Sequence, residues 1–277
     1  MATPTPEWMR PDPDRAPLNL RTDVPHSARI YDYILGGKDN FPPDRMAAEK
    51  SLEGWPGMRT SMRQNRLFMH RAARYLAAEA GIRQFLDVGT GIPTSPNLHE
   101  IVQAAAPTSR VVCVDNDPIV LAHARALLTS TPEGRTAYID ADLRDPESIL
   151  TASEFETTLD VTQPIALSVI ALLQFIPDEA AYGIVQRLMA PLPSGSFLAL
   201  STATADGGPG VLHAVEIYQA QGIFVTTRTK AEVERFFEGL ELIEPGIQLT
   251  HRWRPDETTA GIADTDSAMY GAIARKP

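Results

Sequence analysis

The sequence predicts a doubly wound α/β fold, with a mostly parallel sheet, a final antiparallel strand and an N-terminal helical cap. Three observations carry that expectation. Apolar runs occur at 84–88, 110–115, 136–140, 165–171, 196–201 and 268–274, with helix-like segments between the first five. The segments 95–106, 118–130 and 178–190 have the length and helical periodicity of crossover connections. The runs are apolar at nearly every position, as in a parallel sheet covered on both faces.

Residues 1–24 are proline-rich with little apolar periodicity, so they are expected to form a flexible arm. Residues 25–80 make the cap. Ile30, Tyr33 and Ile34 share one helical face, and Gly36-Gly37 ends that helix. Pro42-Pro43 opens a second helix. A third, from Met58 to Ala80, has Leu67, Met69, Ala73, Leu76 and Ala77 as expected buried positions and stops at Gly81. Residues 81–277 form the main domain. Within it, Asp117-Pro118 reads as an N-cap followed by proline at the first helical position. The run Met269-Tyr270-Gly271-Ala272-Ile273-Ala274 has no helix after it, which suits an antiparallel strand.

A chain of 277 residues with 43% hydrophobic and 22% charged content can bury a full core. The net charge of -10 disfavours a large nucleic-acid footprint, because phosphate contacts need a basic surface. No apolar run reaches the length of a membrane span, and the N-terminus lacks a signal-peptide core. The single cysteine, Cys113, lies inside an apolar run, so no internal disulfide forms. His99, His123, His213 and His251 follow no metal-ligand spacing. These features point to a cytoplasmic protein with no metal, nucleic-acid or membrane partner. They leave the oligomeric state open.

In a doubly wound sheet, ligands bind beyond the carboxyl ends of the strands, at the switch point beside the first strand. The stretch FLDVGTGIPT (85–94) runs from a buried strand into a glycine turn, as in Rossmann-like folds. Acidic residues mark successive strand ends: Asp87, Asp115 in VVCVDNDP and Asp142 in AYIDADLRDP. Asp115 suits ribose hydroxyls, and Asp142 suits the exocyclic amine of adenine. Together they outline a nucleoside. A dinucleotide would require a third glycine at position 94 and an open helix N-terminus for its pyrophosphate. Pro93 and Thr94 stand there instead. S-adenosylmethionine fits better: backbone N–H groups near Gly89 and Gly91 are expected to meet its carboxylate, and Asp87 its ammonium group.

Seven segments then resemble class I S-adenosylmethionine-dependent methyltransferases, and more closely the actinobacterial S-adenosyl methyltransferase family, formerly a domain of unknown function. They are ARIYDYILGGKDNF (28–41), QNRLF (64–68), QFLDVGTGIPT (84–94), VVCVDNDPIVLAHARALL (111–128), ADLRDP (141–146), FFEGLELIEPG (236–246) and YGAIARKP (270–277). The resemblance implies that Gly89, Thr90 and Gly91 line the methionine end, Asp115 and Asn116 the ribose, and Asp142 with Leu143 the adenine. Ser168 on the fourth strand, Asn40 and Arg66 are further candidates for the cofactor site. One departure stands out: relatives often carry Leu-His-Phe where this chain has Leu173-Gln174-Phe175, and an amide cannot titrate as a base.

Gly36-Gly37-Lys38-Asp39-Asn40 is not a phosphate loop, because Asp39 follows the lysine and a helix precedes it. It reads as a helix-ending turn or as a lid, with Tyr33, Lys38, Asp39 and Asn40 facing acceptor or methionine. Arg59, Arg63 and Arg66 form a stripe at helical spacing, a solvated face from which Arg66 reaches the methionine carboxylate. Catalytic candidates are Gln174, Tyr33, Lys38 and Asp39. The expected function is methyl transfer from S-adenosylmethionine to a small-molecule acceptor. A catalytically silent S-adenosylmethionine-binding protein is the alternative that Gln174 keeps open. An NAD-dependent oxidoreductase would need the third glycine or a Tyr-x-x-x-Lys pair, and the chain has neither.

Overall fold

The structure, a computed structural model, describes residues 20–127 and 130–277. Most of the expected arm, residues 1–19, and the end of the second crossover helix, 128–129, lie outside the described residues.

Three cap helices come first: α1 (Ser27–Ile34), α2 (Pro42–Gly54) and α3 (Met58–Arg74), the last continued by a π-helical turn, Tyr75–Glu79. The main domain follows as β1 (Gln84–Val88), α4 (Leu98–Ala105), β2 (Arg110–Asp115), α5 (Pro118–Leu127) and β3 (Arg135–Asp140). Two short helices, α6 (Pro146–Leu150) and α7 (Ser153–Thr158), lead to β4 (Ala166–Ile170), α8 (Asp178–Met189) and β5 (Phe197–Ala203). The chain closes with α9 (Pro209–Ala220), α10 (Lys230–Glu234), the two-residue strands β6 (Glu241–Leu242) and β7 (Gln248–Leu249), and β8 (Met269–Arg275). The sheet order is β3-β2-β1-β4-β5-β8-β6, with β7 also pairing with β8. The first five strands are parallel and β8 runs antiparallel to β5, from Ala203↔Met269 to Phe197↔Arg275.

The apolar runs become the two core layers that cover the sheet. Leu86, Val112, Leu167 and Leu198 face one cluster, whereas Phe85, Val111, Ala166 and Phe197 face the other. Helix α3 belongs to the second layer, where Phe68 lies against β8. An added Cβ on Gly271 would sit 2.8 Å from the Phe68 ring, so the helix depends on a glycine there. Trp253 meets Phe68 edge-on at 5.3 Å, and Arg71 donates to the Thr250 and Trp253 carbonyls. Of the five expected buried positions in α3 and its extension, Leu67 alone stays half-buried.

A third apolar cluster, including Ile30, Ile34, Ala48, Met58 and Tyr218, packs the cap helices against α9. The entry to the cap is held by a buried cation. Arg29 is 2% exposed, lies 3.4 Å from Asp44 and donates to the carbonyls of Leu20, Arg21 and Val24. Burying a guanidinium is costly unless it is paired and hydrogen-bonded, and these contacts meet that need.

Candidate functional site

The switch point of the strand order lies between β1 and β4, whose crossovers run to opposite sides. A cavity of ≈ 230 Å³ opens there, beyond the carboxyl ends of the parallel strands. Its sheet side is built by the turns after β1, β2, β3 and β4, and its roof by α1 and α3. Gln174, Asp87, Gly89, Thr90, Gly91, Asp115, Asn116, Asp142, Leu143 and Arg66 all line it.

The turn after β1 requires its glycines. Gly89 and Gly91 have φ of 75° and 71°, in the left-handed region that costs any residue with a Cβ. A Cβ on Gly89 would also lie 2.6 Å from the Leu172 side chain. The turn's donors are spent inside the protein. Gly89 and Thr90 donate their N–H groups to the Val114 carbonyl at 2.8 and 3.1 Å, and Gly91 donates to Asp115 Oδ2 at 2.8 Å. This corrects the expectation that the Gly89 and Gly91 N–H groups meet a ligand carboxylate. β2 extends far enough for the Val114 carbonyl and the Asp115 carboxylate to capture them.

Asp115 is 8% exposed, and its second oxygen accepts the Asp117 N–H at 3.0 Å. Burial raises its pKa above the usual carboxylate range, partly offset by these two backbone N–H groups. Each oxygen keeps a lone pair for a hydroxyl donor. Asp142 lies two residues beyond β3 and accepts from Asn116 Nδ2 at 2.9 Å and from Arg144, while Leu143 beside it is buried. Asp87 accepts the Thr90 hydroxyl at 3.0 Å, and burial raises its pKa as well.

Arg66 supplies the opposite charge. Its Nη2 donates to the carbonyls of Thr94 and Pro96, which orients the half-buried guanidinium along the cavity wall. Burial lowers its pKa, and among the described residues no carboxylate comes within ion-pair distance of it. The cavity thus holds a cation and buried carboxylates that attract one another without forming an ion pair.

The remaining candidates lie outside the lining. Ser168 is 2% exposed and pairs with Asp87 in the β1–β4 ladder, inside the sheet. Tyr33 turns away to bond Glu49, and Lys38 is exposed. Asp39 stands 3.8 Å from His123 on α5. Asn40 donates to Asp32 Oδ2 at 2.8 Å, and the Asp39 N–H donates to the same oxygen. Asp32, which lines the cavity, therefore holds this loop against α1, and captures the amide and N–H that were expected to face a ligand. Burial raises its pKa.

Beyond Arg66, sequence reasoning missed the residues of the N-terminal helices that line the cavity. Tyr31, Asp32, Met62 and Asn65 line the cavity, as does His26, whose Nδ1 lies 3.1 Å from Asp117 Oδ2. Asn65 Nδ2 donates to the Tyr31 hydroxyl at 3.1 Å, and Asn65 Oδ1 accepts from Ser201 at 2.6 Å, which ties both cap helices to β5. Ser201 in turn accepts the N–H of Ala171. Ala171, at the exit of β4, has φ of 53°, a strained value for a residue with a Cβ. Tyr31 and Asn65 fall within ARIYDYILGGKDNF and QNRLF, so the signal was present in the two N-terminal segments. Among the described residues no cluster of three His, Cys, Asp or Glu could hold a metal, and no helix is long and apolar enough to cross a membrane.

A family model described as S-adenosyl methyltransferase matches residues 13–277. Among solved structures, a DUF574 family protein from Streptomyces avermitilis MA-4680 is 59% identical, covering 93% of this chain and 100% of its own with a TM-score of 0.92. A protein from Thermobifida fusca YX, assigned as a methyltransferase, is 38% identical over 93% of this chain and 97% of its own, with a TM-score of 0.86. A curated protein from Mycobacterium avium (strain 104), assigned as an S-adenosyl-L-methionine-dependent methyltransferase, is 28% identical over 72% of this chain and 60% of that protein. The chain spans 38% and 60% of the lengths of two curated relatives that it matches.

Proposed function

Because the chain belongs to the S-adenosyl methyltransferase family, we propose that it binds S-adenosylmethionine beyond the ends of β1–β4 and methylates a small-molecule acceptor there. The observation that carries this reading is the half-buried, unpaired guanidinium of Arg66 in the same cavity as the carboxylates of Asp87 and Asp115. A buried charge calls for a partner, and a zwitterionic amino-acid tail on a nucleoside supplies one for each. Arg66 holds the carboxylate, Asp87 the ammonium group and Asp115 the ribose hydroxyls. Asp142 accepts from the adenine amine while Leu143 packs on its ring.

When bound, S-adenosylmethionine would supply an electrophilic methyl group on its sulfonium centre, with the neutral thioether as leaving group. The protein's part is alignment and exclusion of water. Helices α1 and α3 serve as the lid, fastened by the His26–Asp117 and Asp39–His123 contacts on the β2 side and by Asn65–Ser201 on the β5 side. A dinucleotide is disfavoured by the start of α4. There the Asn97 N–H bonds Glu100 Oε2 at 2.5 Å, which puts a carboxylate where a pyrophosphate would sit.

Methyl-labelled S-adenosylmethionine incubated with the protein and an extract of Streptomyces avermitilis should place label in the small-molecule fraction. Label confined to protein or nucleic acid would contradict the reading. Tight cofactor binding with no transfer at all would favour a catalytically silent binder, for which the non-titrating amide of Gln174 speaks.

A further inference from the structure

We infer that Gln174 selects the acceptor, and that the acceptor is a compact, uncharged, largely apolar molecule presenting an O–H or N–H donor. The inference rests on the methyltransferase reading of the same cavity. Beyond the residues given to the cofactor, the cavity lining includes Tyr31, Met62, Gln174, Phe175, Tyr218 and Met269. None of these six carries a charge, and the rings of Phe175 and Tyr218 stack at 6.5 Å and 28°. Of the charged side chains that also line the cavity, Asp32 holds the Asp39 N–H and Asn40, His26 meets Asp117, Arg144 meets Asp142, and Arg66 is the one given to the cofactor carboxylate. An ionic acceptor would lose its hydration against this wall without gaining a counter-charge.

The polar groups of the wall narrow the choice further. The Tyr31 hydroxyl donates to the Met62 carbonyl at 3.0 Å and accepts from Asn65, whose own Oδ1 is taken by Ser201. Gln174 is different. Its Nε2 donates to the Ala171 carbonyl at 2.7 Å, which fixes the orientation of the amide and leaves Oε1 as the free end. Gln174 is 8% exposed, and Oε1 is buried without a hydrogen-bond partner. Among the described residues lining the cavity, it is the one buried side-chain atom so left. A native protein rarely leaves such an acceptor unpaired. The acceptor's own O–H or N–H completes it, and the same bond fixes how the heteroatom sits in the cavity, while the proton released on methyl transfer passes to solvent water. An amide cannot take the proton as a base does, so Gln174 is a specificity-determining residue that orients the acceptor.

Phenol and its methyl ether, anisole, differ in that donor and in little else. Each is titrated by NMR into protein saturated with S-adenosylhomocysteine. Phenol should half-saturate at a concentration at least about tenfold lower than anisole. The substitution Gln174→Met keeps the volume and removes the acceptor oxygen. It should abolish the difference while the variant stays folded and S-adenosylhomocysteine affinity stays at the wild-type value. Equal binding of the two probes to wild type, retention of the phenol preference by Gln174→Met, or binding of neither probe overturns the inference. Failure of S-adenosylhomocysteine itself to bind would instead overturn the cofactor reading beneath it.

Discussion

Asparagine in place of Asp115 should weaken S-adenosylhomocysteine binding by about 1.5–3 kcal/mol, the worth of a hydrogen bond to a charged group. That is roughly ten- to a hundredfold in dissociation constant. The effect has two sources, both visible in the turn. The carboxylate offers two acceptor oxygens, one taken by the Gly91 N–H and the other by the Asp117 N–H, and each keeps a lone pair for a ribose hydroxyl. An amide has one acceptor oxygen, so its NH₂ group must face one of those backbone donors. The Gly89–Gly91 turn then loosens where it lines the cavity. Calorimetry on a folded Asp115→Asn variant measures the loss, and an unchanged dissociation constant would remove Asp115 from the site.

Arg66→Met should cost a similar amount, about 1.5–3 kcal/mol, but with a selectivity that tells role from structure. Methionine keeps the apolar stem of the side chain and deletes the guanidinium. The lost contacts include those to Thr94 and Pro96, so a general loosening of the 92–97 loop would weaken every nucleoside ligand alike. Loss of a carboxylate partner would not. S-adenosylhomocysteine has the amino-acid tail, whereas 5′-methylthioadenosine has the same nucleoside without it. The expected result is a roughly tenfold or greater loss for the first and a near-unchanged affinity for the second. Equal losses for both would reduce Arg66 to a brace for the loop.

The parts of this fold that could be read from the sequence are those specified locally. Runs such as FLDV and VVCVD are apolar but for one aspartate each because both faces of β1 and β2 are covered, and they mark the strands to within a residue or two. The order of Asp87, Asp115 and Asp142 at strand ends follows from the parallel topology, so the sheet side of the cavity was legible too. Strands β6 and β7 were not, because two residues leave no periodicity to detect. Helix α9 starts at a Gly-Gly-Pro-Gly stretch that reads as a loop, and its apolar face is defined only by the cap helices packed on it. The roof of the cavity was hidden for a related reason. Asn65 acquires its role through Ser201, 136 residues further along the chain, and Tyr31 through Asn65. Lys38 and Asn40 stood out as a polar group in a loop. The carboxylate of Asp32 claims Asn40, and Lys38 is left in solvent.

The cavity is held here to be a site for an adenosyl amino acid rather than for a dinucleotide, and one competition experiment tests that most directly. S-adenosylhomocysteine and NAD are titrated separately by calorimetry into the full chain, and each is then titrated in the presence of the other. Thr94 in place of a third glycine, Glu100 at the start of α4 and the unpaired Arg66 together lead to a definite expectation: S-adenosylhomocysteine binds at one site per chain, with NAD at least about tenfold weaker, the discrimination of one lost charged contact. NAD binding as tightly as S-adenosylhomocysteine, or displacing it at equal concentration, would contradict it.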